Sequence, residues 1–463
     1  MRYYSFIILN LLIVTILKSS ELDTINEVNS MYYNDYLIKN VLIKGNKITK
    51  DEVIIRELNL KVGDKFDSLL YKEDIENLNK LDIFNRVNIS IDPYNELKKI
   101  DYIVELEESP NVLPIPQGGM KEGSLKKIWV GLNFQWKNFR GYNETISVNF
   151  GIGYEPFVSL SYFNPWIGNK EHFFGSVNLA FSKNVMKVIP DSTMSANKDN
   201  AFTYDVFKYS VGFSIGKYIY KNFKIFSNIS YNFTDITSFP ATNELYRIKE
   251  DNYTKFSISL NYDKRNNNEY TTFGTYIDFT YNRYGILSEN NQFNKIEINL
   301  KKFIPIRIIR DYFISYCIWL RSANIFTGTP KDYLMEVYGY DVYIRGWKDY
   351  LFKGENSLGI FSEFRIPIVK PFYVNGKDHI IIKKIPFFNN FSYQYGLYLT
   401  TFFDIGTVYN RGVKVSDLLF KKGYGLGINL LLPFNFIVRV DIALNKEIDK
   451  FKSRFSFDLN SYF

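Results

Sequence analysis

One cysteine, Cys317, stands in 463 residues, so no internal disulfide can form. Two histidines, His172 and His379, leave no cluster of the kind that holds zinc. A G-x-S-x-G nucleophile turn, a phosphate-cradling Walker loop, a C-x-x-C pair and an H-E-x-x-H helix are all missing, so neither an enzyme nor a cofactor is expected. Gly423, Gly425 and Gly427 form G-x-G-x-G, but at the period of one strand face, which suits packing better than nucleotide binding. No apolar run is long enough to cross a bilayer as a helix. The net charge of +8 is dispersed, without a compact basic patch and interleaved aromatics, so nucleic acid is not an expected partner.

Aromatic residues, by contrast, make up 18% of the chain, and they fall in alternating rows. Ile146, Val148, Phe150 and Ile152 alternate with Thr145, Ser147, Asn149 and Gly151. Phe207, Tyr209, Val211, Phe213 and Ile215 alternate with Lys208, Ser210, Gly212, Ser214 and Gly216. Phe455, Phe457 and Leu459 do the same against Arg454, Ser456 and Asp458. Period two marks strands, and an aromatic face backed by a polar face suits strands with lipid outside and water within. Lipid cannot satisfy an open sheet edge, so such a sheet has to close. The expected fold is mainly β: a C-terminal transmembrane antiparallel β-barrel behind a small α/β domain. Mean hydropathy, −0.18, misses it because alternating rows cancel.

Arg2, the apolar run Phe6 to Leu17 and then Lys18-Ser19-Ser20 suit a secretory signal peptide over residues 1–20, followed by a spacer at 21–36. Residues 37–108 read as the small domain. Ile38, Val41 and Ile43 form a strand ending at Gly45-Asn46. Thr49-Lys50-Asp51-Glu52 fits a capping box for a first helix. Leu70, Ile75, Leu78 and Leu81 recur at helical spacing, and strands follow from Phe84 to Ile91 and from Asp101 to Glu107. The order is β-α-α-β-β. Pro110, Pro114, Pro116, Gly118, Gly119 and Gly123 mark residues 109–124 as a linker.

The pattern I-x-x-V-x-I-x-G-N at 38–46, Gly63 with Phe66, then Asp74, Leu78, Leu81, Phe84 and Val87, closed by Val104-Glu105-Leu106-Glu107, resembles the POTRA domain. That resemblance implies a periplasmic module that handles unfolded chains by β-augmentation.

Residues 125–463 have room for roughly sixteen strands of about ten residues with their turns. The stretch from Ser322 to Asn356 reads as a large loop, and Tyr343-Ile344-Arg345-Gly346-Trp347 stands within it. Glycine permits a sharp reversal and the guanidinium offers a planar fork. An arginine plugging a cavity needs carboxylate partners, and Glu363 and Asp404 have inward parity on nearby strands. Ile344-Arg345-Gly346-Trp347 resembles the loop tip of the BamA/TamA superfamily of outer-membrane insertases. Glu363 to Pro367 resembles its following strand, and Phe403-Asp404-Ile405-Gly406 its aromatic-Asp-x-Gly strand. Asp263, Arg265, Asn266 and Gly274 are similar to its D-x-R-x-N element, with Thr271-Thr272-Phe273 where a proline is usual.

The resemblance implies an assembly factor of the outer membrane that inserts β-barrel clients, with the small domain in the periplasm; an organelle outer membrane is the alternative location. Expected partners are unfolded outer-membrane protein clients, the lipid bilayer, and accessory assembly subunits or chaperones. The alternative function is a two-partner secretion pore exporting one passenger. Closure is expected between a first strand carrying Ile128, Val130, Gly131 and Leu132 and a last strand carrying Phe457, Leu459 and Phe463. Opening that seam would turn bare edges into a template for client strands.

Overall fold

The computed structural model describes residues 33–458, apart from 35, 95–96, 169–171, 188–194, 198–202, 221, 238–249, 268–269, 288–290, 310–311, 341, 348, 380–381, 385–387, 390 and 446–449. The expected signal segment, most of the spacer, and Leu459 and Phe463 of the expected seam lie outside the described residues, as does the side chain of Phe457. No described helix is long and apolar enough to cross a membrane.

Two compact units are present, residues 33–113 with the turn 136–145, and the remainder. In the first, β1 (Leu37–Lys44), α1 (Asp51–Glu57), α2 (Ser68–Lys80), β2 (Phe84–Tyr94) and β3 (Lys99–Glu108) follow the expected order. β3 is central, parallel to β1 and antiparallel to β2. Val53 and Ile54 of α1 and Leu78 of α2 are buried against Ile38, Ile100, Tyr102 and Val104 of the sheet. Asp67 caps α2 by accepting from the backbone N–H of Leu69 at 2.7 Å. Asp74 of α2 is buried in that core. It accepts from the backbone N–H groups of Asn59 (2.6 Å) and Leu60 (3.3 Å) and from the Tyr102 hydroxyl (3.1 Å), so the interhelix turn ends on a side chain.

The capping box expected at Thr49 is not formed. Lys50 is the N-cap of α1 and makes no side-chain cap. The Thr49 hydroxyl instead donates to Glu108 at 2.6 Å, and the Thr49 and Ile48 amides converge on the same carboxylate. A carboxylate at the end of β3 outcompetes the local Glu52 for these donors.

The second unit is built on one sheet of sixteen strands. In chain order they are β4 (Val112–Met120), β5 (Ile128–Phe139), β6 (Glu144–Gly153), β7 (Phe157–Ile167), β8 (Phe173–Lys187), then, past a short β9 (Ser195–Asn197), β10 (Thr203–Tyr220), β11 (Phe223–Thr237), β12 (Glu250–Asp263), β13 (Gly274–Tyr284), β14 (Phe293–Ile309) and β15 (Tyr312–Gly328). After β16 (Glu336–Tyr338) and β17 (Tyr350–Gly354) the sheet resumes with β18 (Asn356–Asn375), β19 (Ser392–Tyr409), β20 (Lys421–Leu431), β21 (Ile437–Asn445) and β22 (Lys450–Asp458). Each sheet strand lies beside its nearest sheet neighbours in sequence, an up-and-down meander.

Two expectations are corrected here. The stretch 109–124 is not merely a linker, because Val112–Met120 is the first strand of the sheet. Its prolines are compatible with an edge strand, where a missing N–H removes no ladder bond. Consequently Ile128, Val130, Gly131 and Leu132 of β5 are flanked on both sides and are not at the seam. β4 is the strand at that edge, β22 at the other, and among the described residues no ladder joins them.

The two faces of the sheet differ sharply. On β12 Ser257, Ser259 and Asn261 are buried while Ile258 and Leu260 are exposed; on β21 Arg439 and Asp441 are buried while Val440 and Ile442 are exposed. Apolar residues point outward and polar residues inward, the reverse of a soluble core. The sheet also curls on itself: Asn429 of β20 donates to the hydroxyl of Tyr270, in the turn between β12 and β13, at 3.1 Å. Five strands, β13, β14, β15, β18 and β19, separate β12 from β20 in the sheet order, so this bond crosses the interior.

Candidate functional site: a loop clamped inside the sheet

The loop between β15 and β18 is organised by its own short hairpin. β16 pairs with β17, and β17 pairs with β9. At the tip the Trp347 amide bonds back to the Ile344 carbonyl at 3.0 Å, a tight reversal that Gly346 makes possible at φ +97°. Ile344, Arg345 and Trp347 are all buried. The Trp347 indole N–H donates to the Lys422 carbonyl of β20 at 3.0 Å.

Arg345 lies between the two carboxylates that inward parity singled out. Its Nε and Nη2 donate to Asp404 of β19 at 2.6 and 2.5 Å, a bidentate fork, and its backbone N–H adds a third bond to Asp404 at 3.0 Å. Nη1 donates to Glu363 of β18 at 2.6 Å. The guanidinium also stacks over Phe402, 3.8 Å from the ring centre. Gly423 of β20 permits the approach: a Cβ there would sit 1.5 Å from the Arg345 carbonyl oxygen. The space beside Gly425 is taken by the Ile442 carbonyl and the Phe402 ring, and that beside Gly427 by Asp441 and Thr400.

Three more residues complete the cluster: Arg365, within the matched strand Glu363 to Pro367, and Arg439 and Asp441, which the sequence reading did not single out. Arg365 of β18 donates to Glu363 at 3.0 Å, and Arg439 of β21 donates to Glu363 at 2.9 Å and to Asp441 at 2.6 Å. Three guanidiniums thus face three carboxylates in a region shielded from solvent, a balance such burial requires. Arg365 and Arg439 were visible as inward residues two places from an inward acid, a signal that parity alone supplies.

The D-x-R-x-N element sits at the β12–β13 turn. Arg265 forks onto Asp263 at 2.9 and 2.6 Å. The Asn266 side chain accepts from the Thr272 and Phe273 amides at 3.0 and 3.1 Å. Gly274, at φ +125°, lets the turn close, since a Cβ would meet the Lys264 carbonyl at 2.2 Å. These bonds shape the turn without the usual proline. The turn also reaches the cluster, because Arg365 Nη1 donates to the Thr271 carbonyl at 2.6 Å and its guanidinium lies 4.1 Å from the Tyr270 ring centre.

The loop has a second and a third anchor that sequence reasoning missed. Glu336 of β16 accepts from Lys295 (2.6 Å), Arg321 (3.2 Å) and Ser357 (2.9 Å). Asp251 accepts from Lys331 (2.7 Å) and Asn291 (2.5 Å), and also bonds the Tyr333 hydroxyl. No motif marks these residues, which lie far apart in sequence.

The profile of the Omp85 superfamily domain matches residues 138–463. The chain belongs to the Omp85 superfamily. A second profile, the surface antigen variable number repeat of the POTRA type, matches residues 36–109. By sequence the chain is similar to the outer membrane protein assembly factor BamA of Nitratidesulfovibrio vulgaris, 26% identical over 141 residues, 30% of this chain and 17% of that one. The chain therefore matches less than a fifth of that relative's length. The crystal structure of BamA from Haemophilus ducreyi lacking POTRA domains 1–3 has the same fold, with TM-score 0.61, 15% identity, and 91% and 83% of the two chains covered. CdiB from Escherichia coli is similar too, with TM-score 0.60, 12% identity, and 91% and 76% covered. This Omp85 chain is an outer-membrane β-barrel protein with a POTRA domain before the barrel.

Proposed function

We propose that this Omp85 protein folds β-barrel client polypeptides and inserts them into a bacterial outer membrane, its POTRA domain facing the periplasm. The observation that carries the reading is the buried Arg345 clamp, which ties a long loop to β18 and β19 inside the barrel. A passive pore gains nothing from filling its own lumen with a hydrogen-bonded loop and a charge-balanced cluster. The sequence match to a protein named as an assembly factor supports the same reading. In this reading an unfolded client strand first adds to the open edge of β2, the outer strand of the POTRA sheet, and is then passed to the barrel seam. Accessory assembly subunits or chaperones complete the machinery.

The likeness to CdiB supports a second reading, a secretion pore of the two-partner type. Depletion in the cell separates the two. An insertase lowers many barrel proteins of the outer membrane together, whereas an exporter lowers one passenger and leaves the barrels at their normal level.

A further inference from the structure

We propose that the outer face of β7, β8, β10 and β11 holds one lipid with an ammonium-bearing headgroup, its acyl chain in a groove beneath a charged row. A groove of about 450 Å³ runs over these four strands, a size in the range of small-molecule sites. Register fixes its walls. Leu160, Leu179, Val211 and Tyr231 lie side by side across the strands and form one wall. Val158, Phe181, Tyr209 and Phe233 form the other. Successive side chains of a strand alternate between faces, so Ser159, Ala180 and Ser210 turn inward and the floor is backbone. Val158, Leu160, Leu179 and Tyr209 are exposed, which places the groove on the lipid side of the barrel.

The second wall is aromatic. The Phe181 and Tyr209 rings lie 5.0 Å apart and those of Tyr209 and Phe233 5.9 Å apart. Aromatic side chains of this kind mark the level where hydrocarbon meets headgroups. Two residues further along the same strands the outer face becomes charged. Lys183 lies opposite Phe207, which lies opposite Asp235, which lies opposite Glu250 of β12. Lys183 is held by Asp205 at 2.7 Å. Asp235 and Glu250 form no ion pair among the described residues. Like charges directly opposite each other on a sheet repel, so this pair favours a cation from outside the chain.

Apolar, aromatic and charged surfaces thus follow one another in the order in which a lipid presents chain, glycerol and headgroup. The charged row selects among lipids. Three carboxylates, Asp205, Asp235 and Glu250, share one ammonium, Lys183, so an anionic headgroup meets repulsion and an ammonium is attracted. In a zwitterionic headgroup the ammonium goes to Asp235 and Glu250, and the phosphate lies toward Lys183. A metal ion alone would neutralise the carboxylates and leave the groove uncovered. β4, β5 and β6 separate the site from one edge of the sheet, and the other edge is further away, so the ligand is distinct from a client strand. The inference goes beyond the bilayer as a solvent: it assigns one resident lipid to one face.

Native mass spectrometry tests it. The full-length protein is delipidated in mild detergent and offered an equal mixture of phosphatidylethanolamine and phosphatidylglycerol with the same acyl chains. One phosphatidylethanolamine is expected to remain bound, favoured about fivefold, the scale of one exposed ion pair. Asp235→Asn/Glu250→Gln is expected to bring that ratio to about one. Val211→Trp fills the groove and should reduce retention of both lipids, whereas Ile277→Trp, exposed on β13 outside the groove, should not. The fast-migrating folded band in unboiled gels reports that each variant has formed its barrel. Equal retention of the two lipids by the unaltered protein, or a preference that survives Asp235→Asn/Glu250→Gln, overturns the proposal. So does retention that Val211→Trp leaves unchanged. A dimer without lipid in the same spectrum would assign the face to a second copy of the chain and overturn it as well.

Discussion

Arg345 loses little charge balance when it is removed from Glu363, which keeps Arg365 and Arg439, but Asp404 is then left without its bidentate partner in a buried site. Breaking such a pair costs about 3–5 kcal/mol. Arg345→Ala is therefore expected to make the barrel unfold at lower temperature, read as earlier loss of the fast-migrating folded band in unboiled gels, and to slow client insertion. Arg345→Lys keeps the charge without the fork and should fall between the two. Gly423→Ala drives a methyl group into the Arg345 carbonyl, so it should expel the tip as effectively. Because both substitutions break one contact, the double variant should be little worse than either single one, and simple additivity would separate Gly423 from the clamp. In the POTRA domain, burial raises the affinity of the Glu108 carboxyl for its proton, but the donors on Ile48 and Thr49 outweigh it and hold the group below the usual carboxylate range. A depressed folded pKa contributes stability that is complete above the unfolded value of about 4.3 and is lost as pH falls through the folded one. Glu108→Gln should cost about 1 kcal/mol at neutral pH and flatten that acid-side loss in a pH series of thermal melts.

Strands were the most legible elements because the barrel inverts a soluble core without changing its period. The alternation at Phe207 to Gly216 places β10 within a few residues, and the same rule put Glu363 and Asp404 on the inner face. Parity failed where composition spoke louder. Pro114, Pro116 and the glycines beside them read as a linker, although a strand whose donors face nothing can carry them, and the seam was consequently placed one strand too far along. Thr49 misled for another reason: a capping box is a local pattern, and Glu108 is a distant competitor that no local pattern registers. The same limit hid Glu336, whose partners Lys295, Arg321 and Ser357 come from three separate strands. That anchor makes a prediction at the level of the loop. Glu336→Gln removes the charge that holds Lys295 and Arg321, so the β16–β17 hairpin should become accessible to proteolysis from outside while the Arg345 tip stays in place. Unchanged protection would mean that the tip alone holds the loop.

Across the whole molecule, a POTRA domain with an open edge on β2 precedes a barrel whose interior is occupied by its own loop and whose first strand carries two prolines, Pro114 and Pro116. On the proposed insertase reading, such a barrel is expected to conduct little and to work at its seam. The most direct measurement is insertion of an unfolded small barrel into liposomes by the full-length protein with a disulfide engineered between β4 and β22. Insertion should stop when the bond is oxidised and return on reduction. Insertion at the same rate with the seam locked would contradict the account.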